Sequence, residues 1–287
     1  MTDRPVRHLD LGSERIAWRC VGTGPHLLLV HGWPLHGRTW DAVLPHLAPR
    51  FTCWVPDLAG LGLSEWGPDT DFGFAGHARR LRGFVDAMGL DRYAIMAQDT
   101  GATVARLLAV DDAARVSGLV LLNTEMPGHR PPWIPLYRTL AGLPGAGASF
   151  ALLLRSRTYL RSSLGFGGCF FDRGRIDDAF VARYVRPLTD DGRRRDGMLR
   201  YLRGVDWSVV DSLADVHRRI RAPVRLVWGA ADPTFPIERA RSMVRQFAGR
   251  ADLVEIPRAC LLAHEEQPLA VAQATLDFLS EPDQMRA

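Results

Sequence analysis

The sequence contains no lysine, and its positive charge is carried by 36 arginines. Set against 32 acidic residues, they give a formal net charge of +4. The arginines are scattered along the chain, and the two local clusters, at Arg79–Arg80 and Arg193–Arg195, are short and have no interleaved aromatic residues. This pattern does not form the continuous basic surface that nucleic acids require, and we therefore predict no nucleic-acid partner.

Cysteine is scarce, and long apolar runs are absent. The four cysteines lie far apart and form no CxxC pair, which argues against both a zinc site and a disulfide framework. No apolar run approaches the roughly 18 residues that span a bilayer, and the N-terminal segment is too polar for a secretion signal. We therefore expect a cytoplasmic protein with free thiols and no membrane partner.

What the sequence does contain is an alternation of short apolar runs with segments of helical periodicity. Segments with helical spacing cover Phe74–Met88 and Thr103–Val110, and a final helix follows Pro268. The alternation predicts βαβ units, and hence an α/β fold with a mostly parallel central sheet flanked by helices. The runs that read as strands, several of them buried, are His26–Val30, Phe51–Val55, Tyr93–Ala97, Gly118–Leu122, Val224–Trp228 and Leu253–Ile256.

Two regions depart from that alternation. Near the N-terminus, the alternating segment Arg15–Arg19, the turn Gly22–Pro25 and the run His26–Val30 together predict a β-hairpin. From about Met126 to Val216, proline-rich and then helical, arginine-rich sequence shows no buried strand. We predict that residues 126–216 form an inserted helical cap (lid), and that residues 1–125 and 217–287 form the core.

Polar side chains follow several of the predicted strands, at the sheet edge where ligands bind. Asp99 lies in Ala97–Gly101, between a strand and a helix, where small residues permit the tight turn of a nucleophile elbow. The helix N-terminus favours a carboxylate there, although an aspartate that only caps the helix gives the same pattern. Asp232 follows another strand, in a Gly/Pro turn that suits an acid orienting a histidine, or a simple Asp-Pro turn.

These elements, with His31–Pro34 and Asp57–Ser64, resemble the α/β-hydrolase fold superfamily over nearly the whole chain outside the predicted cap. An aspartate at the elbow is similar to the haloalkane dehalogenase and epoxide hydrolase branch. The resemblance implies that Asp99 attacks an electrophilic sp3 carbon to form an alkyl-enzyme ester, which histidine-activated water then hydrolyses. It implies Asp232 as the orienting acid, because Asn123 stands where some dehalogenases carry it.

The resemblance also implies residues that bind the substrate. The backbone N–H groups of Trp33, in the loop that begins at His31, and of Thr100 would form the oxyanion hole. Trp133 in the predicted cap is a candidate indole donor to a leaving halide, since Thr100 stands where many dehalogenases carry a tryptophan. Epoxide hydrolases instead use cap tyrosines as acids, and the sequence selects no pair among Tyr137, Tyr159, Tyr184 and Tyr201.

The expected base is the point at which the family pattern fails. Aligning the tail Glu265–Pro268 places Leu261 where the histidine should stand, and His264 follows three residues later. A rearranged loop would let His264 serve as the base, since residues three apart share a helix face. Alternatively, His264 is structural and the site lacks its base, or Leu261 is an introduced substitution that traps the ester.

The sequence thus predicts a hydrolase with catalytic Asp99, Asp232 and His264, acting on a small hydrophobic substrate. Haloalkane dehalogenase-like chemistry is placed slightly ahead of epoxide hydrolysis. The departure at Leu261 keeps open a lyase, an isomerase or a ligand-binding homologue on the same scaffold. Because this chemistry runs on side chains and water, no metal or organic cofactor is implied. The chain is expected to be a monomer or a homodimer.

Overall fold

The computed structural model describes residues 5–12 and 14–280; the outer ends of the predicted core segments, at residues 1–4 and 281–287, lie outside them. Eight strands form a single sheet in the order β1-β2-β4-β3-β5-β6-β7-β8, parallel from β4 to β8. This confirms the predicted α/β architecture. The strands are β1 (Arg7–Leu11), β2 (Glu14–Val21), β3 (His26–Val30), β4 (Thr52–Pro56), β5 (Tyr93–Gln98), β6 (Val116–Leu122), β7 (Val224–Gly229) and β8 (Ala251–Ile256).

Helices cover both faces of the sheet and fill the interval between β6 and β7. In the core they are α1 (Leu44–Leu47), α2 (Phe74–Ala87), α3 (Thr100–Asp111), α12 (Ile237–Met243), α13 (Ala263–Glu266) and α14 (Pro268–Leu279). Between β6 and β7 they are α4 (Trp133–Ala141), α5 (Ala146–Leu154), α6 (Arg157–Arg161), α7 (Asp178–Phe180), α8 (Arg186–Asp190), α9 (Gly192–Gly204), α10 (Trp207–Asp211) and α11 (Leu213–Arg219). Short 3₁₀ turns lie at Gly37–Trp40, Arg173–Arg175 and Val244–Gln246, and a π-helical turn at Val181–Val185.

The predicted N-terminal hairpin is wrong. Strand β2 pairs antiparallel with β1 and β4, whereas β3 pairs in parallel with β4 and β5, so β4 separates the two predicted partners. The run His26–Val30 is buried almost throughout, and a strand buried on both faces takes a central position between parallel neighbours. The connecting turn crosses closely over the start of β4: a Cβ at Gly22 would lie 2.2 Å from the Phe51 carbonyl oxygen.

Apolar side chains from the two faces of the sheet form two buried clusters, one of which continues into the helices between β6 and β7. Trp40 and Trp228 are the largest of their fully buried side chains. The burial follows from the sequence, because β3 and β5 to β7 carry apolar residues at successive positions rather than at alternate ones. In the part of the chain that the structure describes, we find no helix with the length and apolar character to cross a membrane.

Candidate active site

Asp99 occupies a strained turn between β5 and α3. It is one of two non-glycine residues with positive φ among those described, with φ 51° and ψ −138°. The turn is packed so tightly that a Cβ at Gly101 would lie 2.1 Å from the His31 carbonyl oxygen. Backbone strain of this kind persists only where surrounding contacts enforce it, and here the Asp99 amide donates to the Asn123 carbonyl at 3.0 Å.

The Asp99 carboxylate is buried and faces backbone donors. The Trp33 amide donates to Oδ2 at 2.9 Å, and the Thr100 hydroxyl lies 3.3 Å from the same oxygen. Burial and the nearby Glu125 raise the pKa of Asp99 well above its ordinary value, while the N–H groups of Thr100 and Trp33 act in the opposite direction. Both amides of the expected oxyanion hole therefore lie at this carboxylate.

A cavity of about 120 Å³ opens over Asp99, between the sheet edge and the helices that follow β6. Its volume is of the order of the ~150 Å³ apolar cavity that accommodates benzene in a well-studied lysozyme variant. Most of its wall is apolar or aromatic, and only two carboxylates, Asp99 and Glu125, are among the described residues that line it. The large side chains of the wall include Trp33, Trp133, Tyr137, Phe150, Tyr159, Phe166, Trp207 and Phe235.

Asp232 is buried and does not line this cavity, and no histidine among the described residues bonds to its carboxylate. Its Oδ2 accepts from the Asn123 side-chain amide at 2.7 Å, and its Oδ1 accepts from the Thr234 backbone amide, also at 2.7 Å. Burial raises the pKa of Asp232 to about 7 despite these donors. A hydrogen bond thus connects Asn123 and Asp232, the two positions considered in the sequence analysis for the acid that orients the histidine.

His264 lies away from the cavity, and its geometry conflicts with the predicted role as base. It is fully buried, packs against Trp40 with ring centroids 4.5 Å apart, and its Nε2 lies 2.7 Å from the Thr39 hydroxyl. That hydroxyl donates its proton to Glu265 at 2.6 Å, so Nε2 carries the histidine proton and donates to Thr39. Burial lowers the pKa of His264 to about 3, and its Nδ1 has no partner among the described residues. The reason is the start of α13 at Ala263, which directs the next side chain toward the Gly37–Trp40 turn.

Leu261 occupies the cavity wall in place of a base. It is one of the described lining residues, together with Asp99, whereas Asp232 and His264 are not. A leucine side chain neither accepts a proton nor connects Asp232 to the cavity. Position 261 of the cavity wall therefore holds an apolar side chain that cannot act as a base.

Of the remaining predicted binding residues, Trp133 and Trp33 line the cavity, whereas His31 lies behind them and orders the loop. Trp133 lines the cavity. Trp33 also lines it, but its indole Nε1 donates to the Met198 carbonyl at 2.9 Å. His31 is fully buried behind the wall, its Nε2 accepts from the Leu58 amide at 2.9 Å, and burial lowers its pKa to about 4. His31 thus orders the loop as a neutral side chain rather than contacting a ligand.

Two of the four candidate tyrosines line the cavity, and two do not. Tyr137 and Tyr159 both line the cavity, with their hydroxyl oxygens 3.3 Å apart. Tyr184 instead donates to Glu265 at 2.8 Å, outside the cavity wall. Tyr201 is buried, and its hydroxyl lies 3.2 Å from the Thr100 hydroxyl. Burial raises the pKa of Tyr159, so that this phenol keeps its proton at neutral pH.

Glu125 is the functional candidate that the sequence reasoning missed. It follows β6 by three residues and lines the cavity beside Asp99. The signal was available, because Asn123, Thr124 and Glu125 are polar residues at the carboxyl end of a parallel strand. The residue was passed over because only Asn123 matches a position at which the family carries an acid.

Comparison with known proteins defines the class. A family model described as the alpha/beta hydrolase fold matches residues 25–268, and the chain belongs to this family. Haloalkane dehalogenase 2 of Mycobacterium bovis is 30% identical over 280 residues, covering 94% of this chain and 93% of that protein. A soluble epoxide hydrolase of a Corynebacterium species is 30% identical over 230 residues, covering 77% of this chain and 79% of that one.

Solved structures agree with these relatives. The epoxide hydrolase CorEH superimposes with a TM-score of 0.80 at 25% identity, covering 96% of this chain and 98% of its own. The protein is thus an α/β-hydrolase of the haloalkane dehalogenase and epoxide hydrolase type. The similarity extends through the interval between β6 and β7, as the coverage of nearly the whole chain requires.

Proposed function

We propose that Asp99 is a nucleophile that attacks an electrophilic sp3 carbon and forms an alkyl-enzyme ester. The observation that carries this proposal is the Asp99 carboxylate at the elbow, with the Trp33 amide 2.9 Å from Oδ2, in the wall of an apolar cavity. With Oδ2 held by backbone donors, Oδ1 is the oxygen that bonds to the substrate carbon. The same donors then stabilise the oxyanion that develops when water attacks the ester.

The substrate class that fits the wall best is a small, hydrophobic epoxide. Opening of the ring leaves a negative charge on the epoxide oxygen, and a protonated phenol is an effective donor to it. Tyr137 and Tyr159 supply such phenols from the two helices α4 and α6, across the cavity from the sheet. In the structure Tyr159 donates to the Tyr137 hydroxyl and Tyr137 donates to the Leu164 carbonyl, so a bound epoxide would replace one of these acceptors. The helical interval 126–216 would act as a cap that carries these acids and excludes water.

A carbon–halogen substrate is the second candidate, and Trp133 is the observation that favours it. Its ring lines the cavity, where an indole N–H can donate to a leaving halide. The indole of Trp33 is already bonded to the Met198 carbonyl, which leaves Trp133 and Trp207 as the other indoles among the described lining residues. We place the epoxide first because two phenols lie in the same wall, and this is the reverse of the order expected from the sequence.

The decisive experiment follows both steps of the reaction. We expect incubation with styrene oxide to give an adduct on the intact protein by mass spectrometry, and the diol in solution. Bromide release from 1,2-dibromoethane tests the second candidate. Asp99→Asn is the matched control, because asparagine tolerates a positive φ and is nearly isosteric, and it should abolish the adduct.

Absence of adduct, diol and bromide with both compounds would contradict the proposal. A binding protein or a lyase on this scaffold would then account better for the structure. An adduct that forms equally in Asp99→Asn would show that a different side chain is alkylated. Peptide mapping of the adduct identifies the residue directly.

A further inference from the structure

We propose that Glu125, rather than a histidine, is the base that activates water for hydrolysis of the ester on Asp99. This inference rests on the proposed function, because it concerns the second step of the same reaction. It departs from the family pattern, in which a histidine held by an acid performs this step. It explains how a site with Leu261 in the usual base position completes a catalytic cycle.

The position of Glu125 is the first support. Glu125 and Asp99 lie in the wall of the same cavity, and Glu125 is only 5% exposed. The Thr124 hydroxyl lies 2.9 Å from Glu125 Oε2 and also 2.9 Å from the Asp99 backbone oxygen. The Thr124 hydroxyl therefore bridges the Glu125 carboxyl group and the backbone of Asp99. Glu125 is also close enough to Asp99 for its charge to raise the Asp99 pKa.

The anchoring of Glu125 is the second support. Its Oε2 accepts from the hydroxyls of Thr103, in α3, and Thr124, each at 2.9 Å. All hydrogen bonds that the structure shows to this carboxylate reach Oε2, which leaves Oε1 as the oxygen available to the cavity. Hydrogen bonds to one oxygen of the carboxyl group orient it, and the other oxygen remains available to accept a proton.

A buried cation behind Glu125 is the third support. Arg106 is fully buried, and its Nη1 lies 3.2 Å from the Thr124 hydroxyl and 3.4 Å from the Thr103 hydroxyl. The Thr103 hydroxyl is thus placed to accept from the guanidinium and to donate to Glu125, whereas the single proton of the Thr124 hydroxyl is shared between Glu125 Oε2 and the Asp99 carbonyl oxygen. Burial lowers the pKa of Arg106 to about 10 while the charge of Glu125 raises it, so this arginine remains charged at neutral pH. The positive charge of Arg106 therefore lies close to Glu125, on the far side of the two hydroxyls.

Elimination of the other cavity groups is the fourth support. Among the described lining residues the remaining ionisable side chains are Asp99, Tyr137, Tyr159 and Cys169. Burial raises the pKa of Cys169 and of Tyr159, so both stay protonated and accept no proton at neutral pH. Asp99 is the esterified group itself. Glu125 is then the carboxylate that remains on the wall.

The chemistry balances with water as the only co-reactant. Glu125 Oε1 takes one proton of the water as its oxygen bonds to Asp99 Cγ, and the ester carbonyl oxygen becomes an oxyanion facing the Trp33 and Thr100 amides. The intermediate collapses, the bond between Cγ and the alkyl-bearing oxygen breaks, and the alkoxide takes the proton from Glu125. The second water proton remains on the Asp99 carboxyl, which ionises to regenerate the nucleophile.

The experiment separates the two steps in Glu125→Gln. Glutamine keeps an oxygen to accept from both threonine hydroxyls but does not accept a proton. With styrene oxide in a single turnover, we expect the ester still to form, and no more slowly than in the wild type, because loss of the Glu125 charge removes one cause of the raised Asp99 pKa. Its hydrolysis should slow by about 100-fold or more, so that the adduct accumulates.

Two further variants distinguish a base from a structural residue. Glu125→Asp keeps a carboxylate and should retain part of the hydrolysis rate. Leu261→His in the Glu125→Gln background places an imidazole at the family's usual position, and should restore hydrolysis of the trapped ester. A structural role alone would be rescued by neither change, and would slow both steps together.

The outcomes separate this inference from the proposed function. If Glu125→Gln hydrolyses the ester as fast as the wild type, the inference fails and the nucleophile stands. If the wild-type ester itself persists as long as that of the variant, Glu125 is not an effective base, and again only the inference fails. If neither protein forms an ester or a diol, the proposed function fails and the inference falls with it.

Discussion

Around Asp99, the neighbouring residues hold the carboxylate in one position at the wall of the cavity. Around Asp232, the carboxylate is also held in place, but no histidine among the described residues connects it to the cavity. Asp99 is held by the elbow, by the Trp33 amide and by the close approach of Gly101 to the His31 carbonyl. Asp232 is held equally well by Asn123 and Thr234, but it does not line the cavity, whereas Leu261 does. A buried carboxylate can thus be held firmly by the fold without a described histidine beside it, because a scaffold does not by itself fix the chemistry.

The largest effect should follow from disrupting the tight packing of the turn around Asp99. Gly101→Ala places a Cβ 2.1 Å from the His31 carbonyl oxygen, a backbone contact that no rotamer change relieves. We expect a loss of about 4 kcal/mol or more in the free energy of unfolding, and no ester formation by the folded fraction. Urea denaturation and adduct mass measure the two effects. Gly142→Ala is the matched control, since its Cβ meets only the Thr139 carbonyl oxygen at 3.4 Å. Equal stability of the two variants would contradict the packing argument.

A smaller effect should appear in the pH dependence of stability that arises from Asp232. Burial raises the folded-state pKa of Asp232 to about 7, against an unfolded value of about 3.9. The folded protein therefore favours the protonated acid, and this stabilising contribution is present below pH ~4 and lost as the pH rises through ~7. We expect it to amount to roughly 2–4 kcal/mol, since one pKa unit corresponds to about 1.4 kcal/mol.

Comparison with Asp232→Asn isolates this contribution, because other titrating groups cancel in the difference. The variant should lack the decline between pH 4 and 7 that the wild type shows in urea denaturation. Asp69→Asn serves as a control at an exposed carboxylate and should follow the wild type. Parallel curves for Asp232→Asn and the wild type would mean that Asp232 is charged in the folded state without penalty.

The smallest effect should come from the network that holds His264. Thr39→Val removes the hydroxyl between His264 and Glu265 while keeping nearly the same volume. We expect the free energy of unfolding to fall by about 1–2 kcal/mol, with the rates of ester formation and hydrolysis unchanged. Denaturation and single-turnover kinetics give the two values. A loss of hydrolysis at unchanged stability would return His264 to the active site.

Sequence patterns that depend on short-range geometry were sufficient for much of this protein. The buried strands were predicted from continuous apolar runs, and the elbow from small residues around Asp99. The hairpin prediction failed because strand pairing is a long-range property: adjacency in the chain suggested β2 beside β3, and the sheet inserts β4 between them. The mismatch at Leu261 was equally visible, because it needs only an alignment on neighbouring residues.

The sequence by itself determined the α/β class, the aspartate at the elbow and the absence of a histidine at position 261. Each of these depends on residue type and local spacing. Only the tertiary structure decided that His264 faces Thr39, that Tyr137 and Tyr159 form the phenol pair, and that Glu125 shares the cavity with Asp99. These relations join segments far apart in the chain, and they are fixed by packing of the whole molecule rather than by any local preference.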